Sequence, residues 1–577
     1  GLMNRNDITE IINGCDAGRE GELIFRFVYN MCGCKKPYFR LWISSMEESA
    51  IREGFNNLKD GREYDNLYNS ALCRAKADWI IGINATRLFT SLYRKHLNIG
   101  RVQTPTLAMI AERDSKISMF RKEKYYTVEI DGGNIKAVSD KISDKDEAQN
   151  LQAACHERQA VCISAVKEKK KTGAPKLFDL TTLQREANRI FGYTAKQTLD
   201  YAQSLYEKKL ITYPRTDSRY LTDDMHNTVI KIVHIASKFA PFSNCTDFKP
   251  DTFCLFNNEK VSDHHAIIPT AEIENISLAE IPNGESNILH LIMCKLLCAV
   301  NSPYEYETIT AVLECGGVQF TAKGKIILFE GWKNIEQLFK RYIHSDTDRA
   351  EDVFCITKGE TVTVSSEVKE GYTSPPKAFT EDTLLSSMET AGAAETTDEA
   401  ERKGLGTPAT RAAIIEKLVQ TGFAERKGKS IVATHNGISL VSVLPEKLTS
   451  PILTSDWENN LAEIAKGNYP PEQFMKGIED LTRELVTTYS FITDEDRAIF
   501  RAPREVIGIC PRCGSDVHES KNNFYCANKS CKFVMWKNDR FFTSKRKEIT
   551  KKMASDLLAK GRTKVKGLYS EKKDKTY

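Results

Sequence analysis

The first pattern of hydrophobic and polar residues in the chain predicts a short strand that ends in a polar turn. Ile11 and Ile12 form an apolar pair within residues 10–15, and residues 16–22 read Asp-Ala-Gly-Arg-Glu-Gly-Glu. The apolar-rich segment 23–29 then predicts a helix. Strand, tight turn and helix form the unit of α/β domains, in which polar groups at the carboxyl end of a strand commonly build a site.

Along the rest of the chain, helical and strand patterns alternate in blocks. The segments predicted as helices are 47–57, 67–91, 105–114, 181–210 with a break at Phe191-Gly192, 287–300 and 409–420. The segments predicted as strands are 41–44, much of 124–170, and most of the chain between 300 and 364. Strand-rich blocks on both sides of a helical block indicate a multidomain α/β plus α+β fold with domains nested in one another.

The helix predicted over 409–420 is followed by a hairpin pattern over 422–434, and this order resembles a winged helix. Gly428-Lys429-Ser430 matches the end of a phosphate-binding P-loop, but that motif requires glycine five positions earlier, where Phe423 stands. The segment also follows a helix rather than a strand. We therefore interpret it as a hairpin turn and predict no ATP site.

Composition places the chain among globular proteins, with 41% hydrophobic and 28% charged residues. No apolar run approaches the roughly 18 residues of a membrane helix, and no signal peptide is visible, so we expect a cytoplasmic protein without a membrane partner. Residues 538–577 hold 13 Lys/Arg against 5 Asp/Glu, a local excess of positive charge that suits phosphate backbones. A disordered, solvated tail is the alternative.

Four of the sixteen cysteines are clustered near the C-terminus: Cys510, Cys513, Cys526 and Cys531. Two closely spaced pairs in this order strongly indicate a structural Zn²⁺ held by four thiolates. Aromatic and lysine residues are interleaved with them, namely Phe524, Tyr525, Phe533, Trp536, Lys521, Lys532 and Lys537. Such a ribbon can stack on single-stranded bases, although a purely structural clip is equally compatible with the spacing.

An acidic cluster lies in the turn after the first predicted strand. Asp16 and Glu20 bracket the turn and Glu22 follows, while Gly18 and Gly21 permit close approach of a phosphate. Two carboxylates in one turn can share a Mg²⁺ through oxygen ligands and waters. The alternative is a helix cap, because acidic side chains stabilise the positive end of a helix.

A second candidate site is the segment 211–218, which reads Ile-Thr-Tyr-Pro-Arg-Thr-Asp-Ser. The hydroxyl of Tyr213 is a poor nucleophile unless its surroundings assist, because its ordinary pKa is near 10. Arg215 offers a planar, permanent charge that could hold the attacked phosphate. A core tyrosine beside a turn is the alternative.

The segment 263–269 reads Asp-His-His-Ala-Ile-Ile-Pro. Adjacent histidines such as His264 and His265 do not face one metal from a helix or strand, so a phosphate contact or a proton relay is the better interpretation. A structural histidine remains an alternative for each of them.

These motifs together resemble the bacterial topoisomerase III branch of the type IA DNA topoisomerase family, over nearly the whole chain from about Glu10 to Lys537. The matching segments, in family order, are 16–26, 40–45, 77–87, 99–106, 191–193, 199–221, 263–269, 375–383 and 404–411.

The resemblance implies a four-domain torus with strand-rich arch, winged-helix-like elements and a zinc ribbon. It implies a partial Toprim (Rossmann-like) domain over 1–65, a strand-binding domain over 66–122 and 373–500, and a β-rich arch over 123–172 and 305–372. The nucleophile's helical domain would span 173–304, the zinc ribbon 505–540 and a basic tail 541–577.

The resemblance also implies an ATP-independent isomerase. Tyr213 would cut one DNA strand as a 5′-phosphotyrosine, and religation would follow strand passage. Arg215, Glu20 and His265 would be catalytic, and Asp16 and Glu20 would bind Mg²⁺. The DNA-binding residues would be Asp78, Gly100, Arg101, Val102, Gln103, Thr410 and Arg411. The partners would be single-stranded DNA and negatively supercoiled or gapped duplex DNA, bound by a nucleoid-associated monomer.

Two departures from the family pattern change these expectations. Gly18 stands where the family usually has the middle one of three acids, and the family's first Toprim strand, with a glutamate and a lysine, has no match in this chain. On that basis we expect the chain to bind single strands but to cleave them poorly. A different Toprim enzyme, such as a primase or nuclease, and a non-catalytic DNA-binding relic are the alternatives.

Overall fold

The computed structural model describes residues 1–244, 251–344, 354–392, 404–500, 505–570 and 574–576. The chain forms two compact units, Gly1–Ile492 and Thr493–Tyr577. Among the described residues, no helix is long and apolar enough to cross a membrane.

The helices and strands of the described residues have the following bounds. The helices are α1 Arg19–Met31, α2 Glu48–Asn56, α3 Asp65–Tyr93, α4 Gln103–Ser118, α5 Lys145–Cys155, α6 Leu180–Phe191, α7 Ala195–Glu207, α8 His226–Ala236, α9 Asn283–Ala299, α10 Trp332–Tyr342, α11 Glu381–Thr390, α12 Pro408–Gln420, α13 His435–Val443, α14 Glu446–Thr449, α15 Ile452–Lys466, α16 Pro471–Thr488, α17 Asp494–Arg497, α18 Arg540–Ser544 and α19 Lys551–Lys560. The strands are β1 Ile11–Asn13, β2 Tyr38–Arg40, β3 Lys59–Asp60, β4 Lys124–Asp131, β5 Lys136–Ser139, β6 Arg158–Thr172, β7 Tyr304–Cys315, β8 Val318–Phe329, β9 Thr361–Tyr372, β10 Phe379–Thr380, β11 Ala424–Lys427, β12 Ser430–Ala433, β13 Val506–Ile509, β14 Asp516–Glu519, β15 Asn523–Cys526, β16 Val534–Trp536, β17 Tyr569–Ser570 and β18 Lys575–Thr576.

The N-terminal sheet has the order β1-β2-β3, with β1 and β2 parallel and β3 antiparallel to β2. The strand predicted over 41–44 is wrong, because the pairing with β1 falls on Tyr38–Arg40 and ends there. Leu41, the residue after β2, is nevertheless buried. Its amide donates to the carbonyl of Asn13 in β1 at 3.0 Å. The helix α1 leaves the sheet at the acidic turn.

Six strands close a barrel in the order β4-β5-β8-β7-β6-β9. Alternate residues of β4 (Tyr126, Val128 and Ile130) are buried, as expected for a strand with one face towards a core. The barrel draws its strands from both 124–172 and 304–372, on either side of the helical block. The chain therefore leaves the barrel after β6 and returns at β7.

Between these two passages, α6 to α9 form the largest apolar core of the first unit. The predicted break at Phe191-Gly192 has a local cause, because Gly192 ends α6 with φ of +72°. Thr194 then starts α7 with a capping box to Gln197. The two helices consequently turn back on each other.

The winged-helix-like part consists of α12 and a small sheet in the order β10-β12-β11. Thr407 caps α12 and Pro408 occupies its first turn, as the helix-start pattern favours. Gly428 lies in the turn between β11 and β12 with φ of +61°. Gly428-Lys429-Ser430 is therefore part of a hairpin turn.

The second unit contains the antiparallel sheet β13-β14-β15-β16. Its core includes Val517 and Phe524, together with Met553 and Ala554 of α19. Phe524 is therefore buried, whereas Trp536 is exposed. Because α19 packs into this core, the alternative of a disordered tail does not hold for Lys551–Lys560.

Candidate active site

A buried arginine fixes the backbone of the acidic turn. Arg40, at the end of β2, donates to the carbonyl oxygens of Asn13 at 3.1 Å, Cys15 at 2.7 Å and Asp16. A Cβ on Gly21 would lie 2.8 Å from the backbone nitrogen of Asp16 and closer still to its carbonyl oxygen. Glycine is thus required at position 21, and the turn presents the side chain of Asp16 to solvent.

Glu22 faces the interior rather than the solvent. Its carboxylate accepts from Asn13 Nδ2 at 2.8 Å and from Arg26 Nε at 2.8 Å, and it lies 3.3 Å from Arg40 Nε. A fully buried carboxylate with this many donors is stable where it is. Glu22 therefore fixes the turn to the sheet.

The segment that carries Tyr213 pairs directly with the segment that carries the two histidines. The amide of Thr212 donates to the carbonyl of Ile268 at 2.9 Å, and Thr216 Oγ1 donates to the carbonyl of His264 at 2.7 Å. Two motifs about 50 residues apart in sequence are thereby fixed side by side.

His264, and not His265, lies against Tyr213. The ring centroids of His264 and Tyr213 are 4.5 Å apart, and His264 Nε2 lies 3.5 Å from Asp16 Oδ2. His265 instead directs Nδ1 to the carbonyl oxygen of Ala266 at 2.9 Å, and burial lowers its pKa. The structure therefore places His264, rather than the predicted His265, against Tyr213, and a catalytic role for either histidine stays a prediction.

The surroundings shift the pKa values of Asp16 and Tyr213 in opposite directions. The contact with His264 holds the pKa of Asp16 below its ordinary value. Burial raises the pKa of Tyr213, and the neighbouring charge of Arg215 opposes that rise. Tyr213 is therefore protonated at neutral pH, and it needs a proton acceptor or further positive charge in order to attack.

Two cavities, of about 590 Å³ and 470 Å³, flank Tyr213. Asp16, Tyr213 and His264 line both of them. The first also contacts Ile43–Met46, Tyr206 and Lys209. The second contacts Glu20, Arg74, Asp78, Arg215, Asp263 and Thr410. The predicted catalytic residues Tyr213, Arg215 and Glu20 therefore line one space.

A buried ion network forms the floor beneath the second cavity. Glu458 of α15 lies 3.1 Å from Arg19, 3.3 Å from Arg101 and 3.7 Å from Arg74. Despite burial, these three guanidinium groups lower the pKa of Glu458 to about 2. Arg74 also donates to Glu20 at 2.8 Å. Arg74 and Glu458 could not be predicted from local sequence patterns, because their partners lie far away along the chain.

The network also includes two predicted DNA-binding residues, Arg101 and Asp78. Arg101 Nε donates to Asp78 Oδ1 at 2.7 Å, and only 2% of the Arg101 side chain is exposed. Arg411 is similarly buried, with Nη1 donating to Thr181 Oγ1 at 2.9 Å. In this conformation both guanidinium groups are engaged within the protein, so DNA contact by Arg101 and Arg411 stays a prediction.

The other predicted DNA-binding residues lie at the starts of α4 and α12. The amide of Gly100 donates to Thr104 Oγ1 at 3.1 Å, and Val102 precedes Gln103 at the N-terminus of α4. Gln103 Nε2 is buried and has no hydrogen-bond partner among the described residues. Thr410 is the N3 residue of the α12 capping box and lines the second cavity.

The donor set at the acidic turn suits Mg²⁺. Asp16 and Glu20 supply carboxylate oxygens to one cavity, and Mg²⁺ commonly takes one or two carboxylates while keeping several waters. Glu20 is paired with Arg74 here, so it would have to share or leave that partner. The residues present therefore fit the ion.

The second unit holds the one group of three or more His, Cys, Asp or Glu donors that converge within 4.8 Å among the described residues. It consists of Cys510, Cys513, Cys526 and Cys531. The Sγ atoms of Cys510 and Cys531 are 3.7 Å apart, and those of Cys513 and Cys526 are 3.4 Å apart. Tetrahedral ligands at Zn–S distances of about 2.3 Å lie roughly 3.8 Å apart, so the cluster fits zinc.

The comparison with protein families decides what this arrangement belongs to. The family model described as DNA topoisomerase matches residues 62–476, which is most of the chain. This chain belongs to the type IA DNA topoisomerase family. It is therefore an isomerase that acts on DNA by single-strand cleavage and strand passage, as the sequence predicted.

Relatives of known name agree with the family. DNA topoisomerase 3 of Bacillus subtilis (strain 168) is 39% identical over 533 residues, covering 89% of this chain and 72% of that protein. DNA topoisomerase 3 of Bacillus cereus (strain ATCC 10987 / NRS 248) is 38% identical over 552 residues, covering 91% and 75%. The predicted resemblance to the topoisomerase III branch is thereby confirmed.

The fold has a solved counterpart in the structure of full-length topoisomerase I from Thermotoga maritima. The TM-score is 0.65 at 22% sequence identity, and the match covers 90% of this chain and 84% of that chain. At this identity the likeness concerns the fold, and it confirms the predicted fold class of the type IA topoisomerase.

Proposed function

We propose that Tyr213 is the nucleophile that carries the cleaved strand of this topoisomerase. The observation behind the proposal is the position of Tyr213 between two cavities, with His264 against its ring and Asp16 of the acidic turn 3.5 Å from that histidine. A core tyrosine would be enclosed by apolar side chains instead.

The reaction exchanges one phosphodiester for another. Tyr213 Oη attacks a backbone phosphorus, the bond from phosphorus to the 3′ oxygen breaks, and the released strand end takes up a proton as a 3′-hydroxyl. Tyr213 keeps the 5′-phosphate. In religation the hydroxyl attacks the phosphotyrosine and returns the proton to Tyr213. Because the number of phosphodiester bonds never changes, the cycle needs no ATP.

The chain's own charged groups stabilise the attacked phosphate. Arg215 lines the cavity beside Tyr213 and places a permanent charge near its hydroxyl. His264 lies between Tyr213 and Asp16, where a proton can be held during attack. Mg²⁺, bound by Asp16 and Glu20, would supply further positive charge to the phosphate oxygens. Catalysis is thus electrostatic stabilisation together with proton transfer.

The DNA is a single strand that reaches Tyr213 along the second cavity. Asp78 and Thr410 line this cavity, and Gly100, Val102 and Gln103 lie at the start of α4. N-terminal helix amides favour phosphate oxygens. Arg101 and Arg411 position the neighbouring segments through buried hydrogen bonds, to Asp78 and to the carbonyl of Leu405 respectively. Single-stranded regions of gapped or negatively supercoiled duplexes are the proposed substrates of a monomeric enzyme.

The second unit contributes a zinc-stabilised surface for single-stranded DNA. The exposed indole of Trp536 offers a face for base stacking. Phe524 is excluded from that role because it is buried. The guanidinium carbon of Arg512 lies 6.0 Å from the centre of the Phe533 ring. We therefore assign stacking to Trp536 rather than to the core aromatic residue.

The proposal is tested by trapping the covalent complex. The wild-type chain and Tyr213→Phe are mixed with an oligonucleotide labelled at its 3′ end, with and without Mg²⁺, and then denatured. We expect labelled wild-type protein at low yield, in keeping with the poor cleavage expected from the sequence, and no labelled protein in Tyr213→Phe.

Tyr206→Phe is the matched control, because the ring of Tyr206 lies 5.3 Å from that of Tyr213 and lines the same cavity. It should retain the adduct. An adduct that survives in Tyr213→Phe, or one that is lost equally in Tyr206→Phe, would contradict the assignment.

A further inference from the structure

The backbone at Gly18 does not itself require glycine. Its φ of −164° and ψ of −179° are ordinary extended values that any residue adopts. A Cβ built there would nevertheless lie 2.6 Å from Asp263 Oδ2 and 2.7 Å from Asp263 Cγ, and closer still to Oδ1. The carboxylate of Asp263 therefore fills the space in which a side chain at position 18 would begin.

Asp263 comes from a different part of the chain than the acidic turn. It directly precedes His264, on the segment that pairs with the segment carrying Tyr213. Its neighbour Ser262 is fixed from both sides. Ser262 Oγ donates to Asp217 Oδ1 at 2.8 Å, and the carbonyl of Ser262 accepts from Ser44 Oγ at 2.8 Å.

Asp263 also shares a cavity with Asp16 and Glu20, the two carboxylates of the turn. Carboxylate oxygens are the ligands that Mg²⁺ prefers. The oxygens of Asp16, Glu20 and Asp263 do not all converge within 4.8 Å in this conformation, so Asp263 would act on a Mg²⁺ held by the turn through the waters of the ion. The carboxylate of Asp263 thus lies where the side chain of residue 18 would begin, although Asp263 belongs to a different segment from the turn.

We propose that Asp263 supplies to the magnesium site the carboxylate that Gly18 lacks. This inference rests on the proposed function of the same site. It couples metal binding to the contact between residues 262–264 and the acidic turn. Any movement that separates these two segments would remove the carboxylate of Asp263 from the metal site. Metal binding and closure of the site therefore stabilise each other reciprocally.

The test measures Mn²⁺ binding to the full chain without DNA, from the electron paramagnetic resonance signal of free Mn²⁺. Asp263→Asn should weaken Mn²⁺ binding by about tenfold or more. Glu259→Gln is the matched control, since it removes one exposed carboxylate four residues earlier. It should bind Mn²⁺ as the wild type does.

The swap Gly18→Asp with Asp263→Ala returns the acid to the turn and should restore the affinity to within about threefold. It also covers the case in which Asp263→Asn fails to fold. Equal Mn²⁺ affinities of Asp263→Asn and Glu259→Gln, or a folded swap variant that remains as weak as Asp263→Asn, would overturn the inference.

A steric test is independent of the metal. Gly18→Ala should lower the melting temperature because its Cβ collides with Asp263, and adding Asp263→Ala should remove most of that loss. Additive effects of the two substitutions would contradict the contact. Failure here leaves the covalent trap of Tyr213 unaffected, so the inference and the proposed function fail separately.

Discussion

The imidazole of His264 lies against the ring of Tyr213, with the two centroids 4.5 Å apart. The same imidazole reaches Asp16 with Nε2 at 3.5 Å. One histidine therefore joins the proposed nucleophile to the acidic turn, and its neighbour His265 does not.

Replacing each histidine separately should distinguish their roles. His264→Gln should slow cleavage of a single-stranded oligonucleotide by about 100-fold, because a proton-transfer group and a contact to Asp16 are lost. His265→Gln should remain within about fivefold of wild type in the same single-turnover assay, since His265 bonds to backbone. A greater loss in His265→Gln would reverse the assignment.

The same pair of variants should differ in pH dependence. His264 holds the pKa of Asp16 below its ordinary value, so the wild-type carboxylate stays ionised to lower pH. Removing His264 should raise that pKa and shift the acidic limb of Mn²⁺ binding towards higher pH, whereas His265→Gln should leave it in place. An unshifted limb in His264→Gln would show that the contact does not tune Asp16.

The buried network around Glu458 should contribute strongly to stability. Glu458→Gln leaves three buried guanidinium groups with less charge compensation, and we expect a loss of about 3 kcal/mol in the free energy of unfolding at pH 7. The pKa of Glu458 is lowered to about 2 in the folded chain. This stabilisation is therefore complete above the unfolded pKa of about 4.3 and is lost as pH falls towards 2.

Urea unfolding at several pH values measures the difference, with Asp456→Asn, an exposed position on the same helix, as control. The gap between Glu458→Gln and wild type should narrow as pH decreases. A constant gap would mean that Glu458 acts through packing rather than charge.

The short motifs allowed much of the site to be predicted from sequence. The sequence 211–218 identified Tyr213, and the cysteine spacing identified the metal-ligand cluster, because each depends on residues that are near one another in the chain. The choice between His264 and His265 could not be made in this way. It depends on which side of an extended segment faces Tyr213.

Contacts between residues that are distant in sequence could not be predicted either, because no short motif contains both partners. Glu458 meets Arg19 across 439 residues, and Asp263 meets Gly18 across 245 residues. The strand at 41–44 was predicted from apolar composition, whereas strand pairing selected Tyr38–Arg40. Pairing partners, unlike apolar runs, are set by the three-dimensional arrangement.

Removal of zinc should unfold the sheet of the second unit. Its core is small, and metal binding is expected to supply much of its folding free energy. We expect about one zinc per wild-type chain, and rapid proteolysis within 505–560 after chelation. Cys513→Ser should lose zinc, whereas Cys254→Ser, at an exposed cysteine, should keep it. Equal zinc content in both variants would contradict the ligand set.

Asp179 should make the stability of the helical block depend on pH. This buried carboxylate caps α6, accepting from the amide of Thr182 at 2.7 Å and from Thr182 Oγ1 at 2.8 Å. Burial raises its pKa to about 6. The folded state therefore favours the protonated form, so this stabilising contribution is full below about pH 4 and is lost as pH rises through 6.

Asp179→Asn keeps an acceptor for the amide but carries no charge. At pH 8 it should be more stable than wild type by up to about 3 kcal/mol, and the advantage should vanish below about pH 4. Asp144→Asn is the matched control, because Asp144 caps α5 through the amide of Glu147 at 2.9 Å but is exposed. Urea unfolding across this pH range measures both variants. If Asp179→Asn were less stable than wild type at pH 8, the capping charge would outweigh its desolvation, which would contradict a raised pKa for Asp179 in the folded chain.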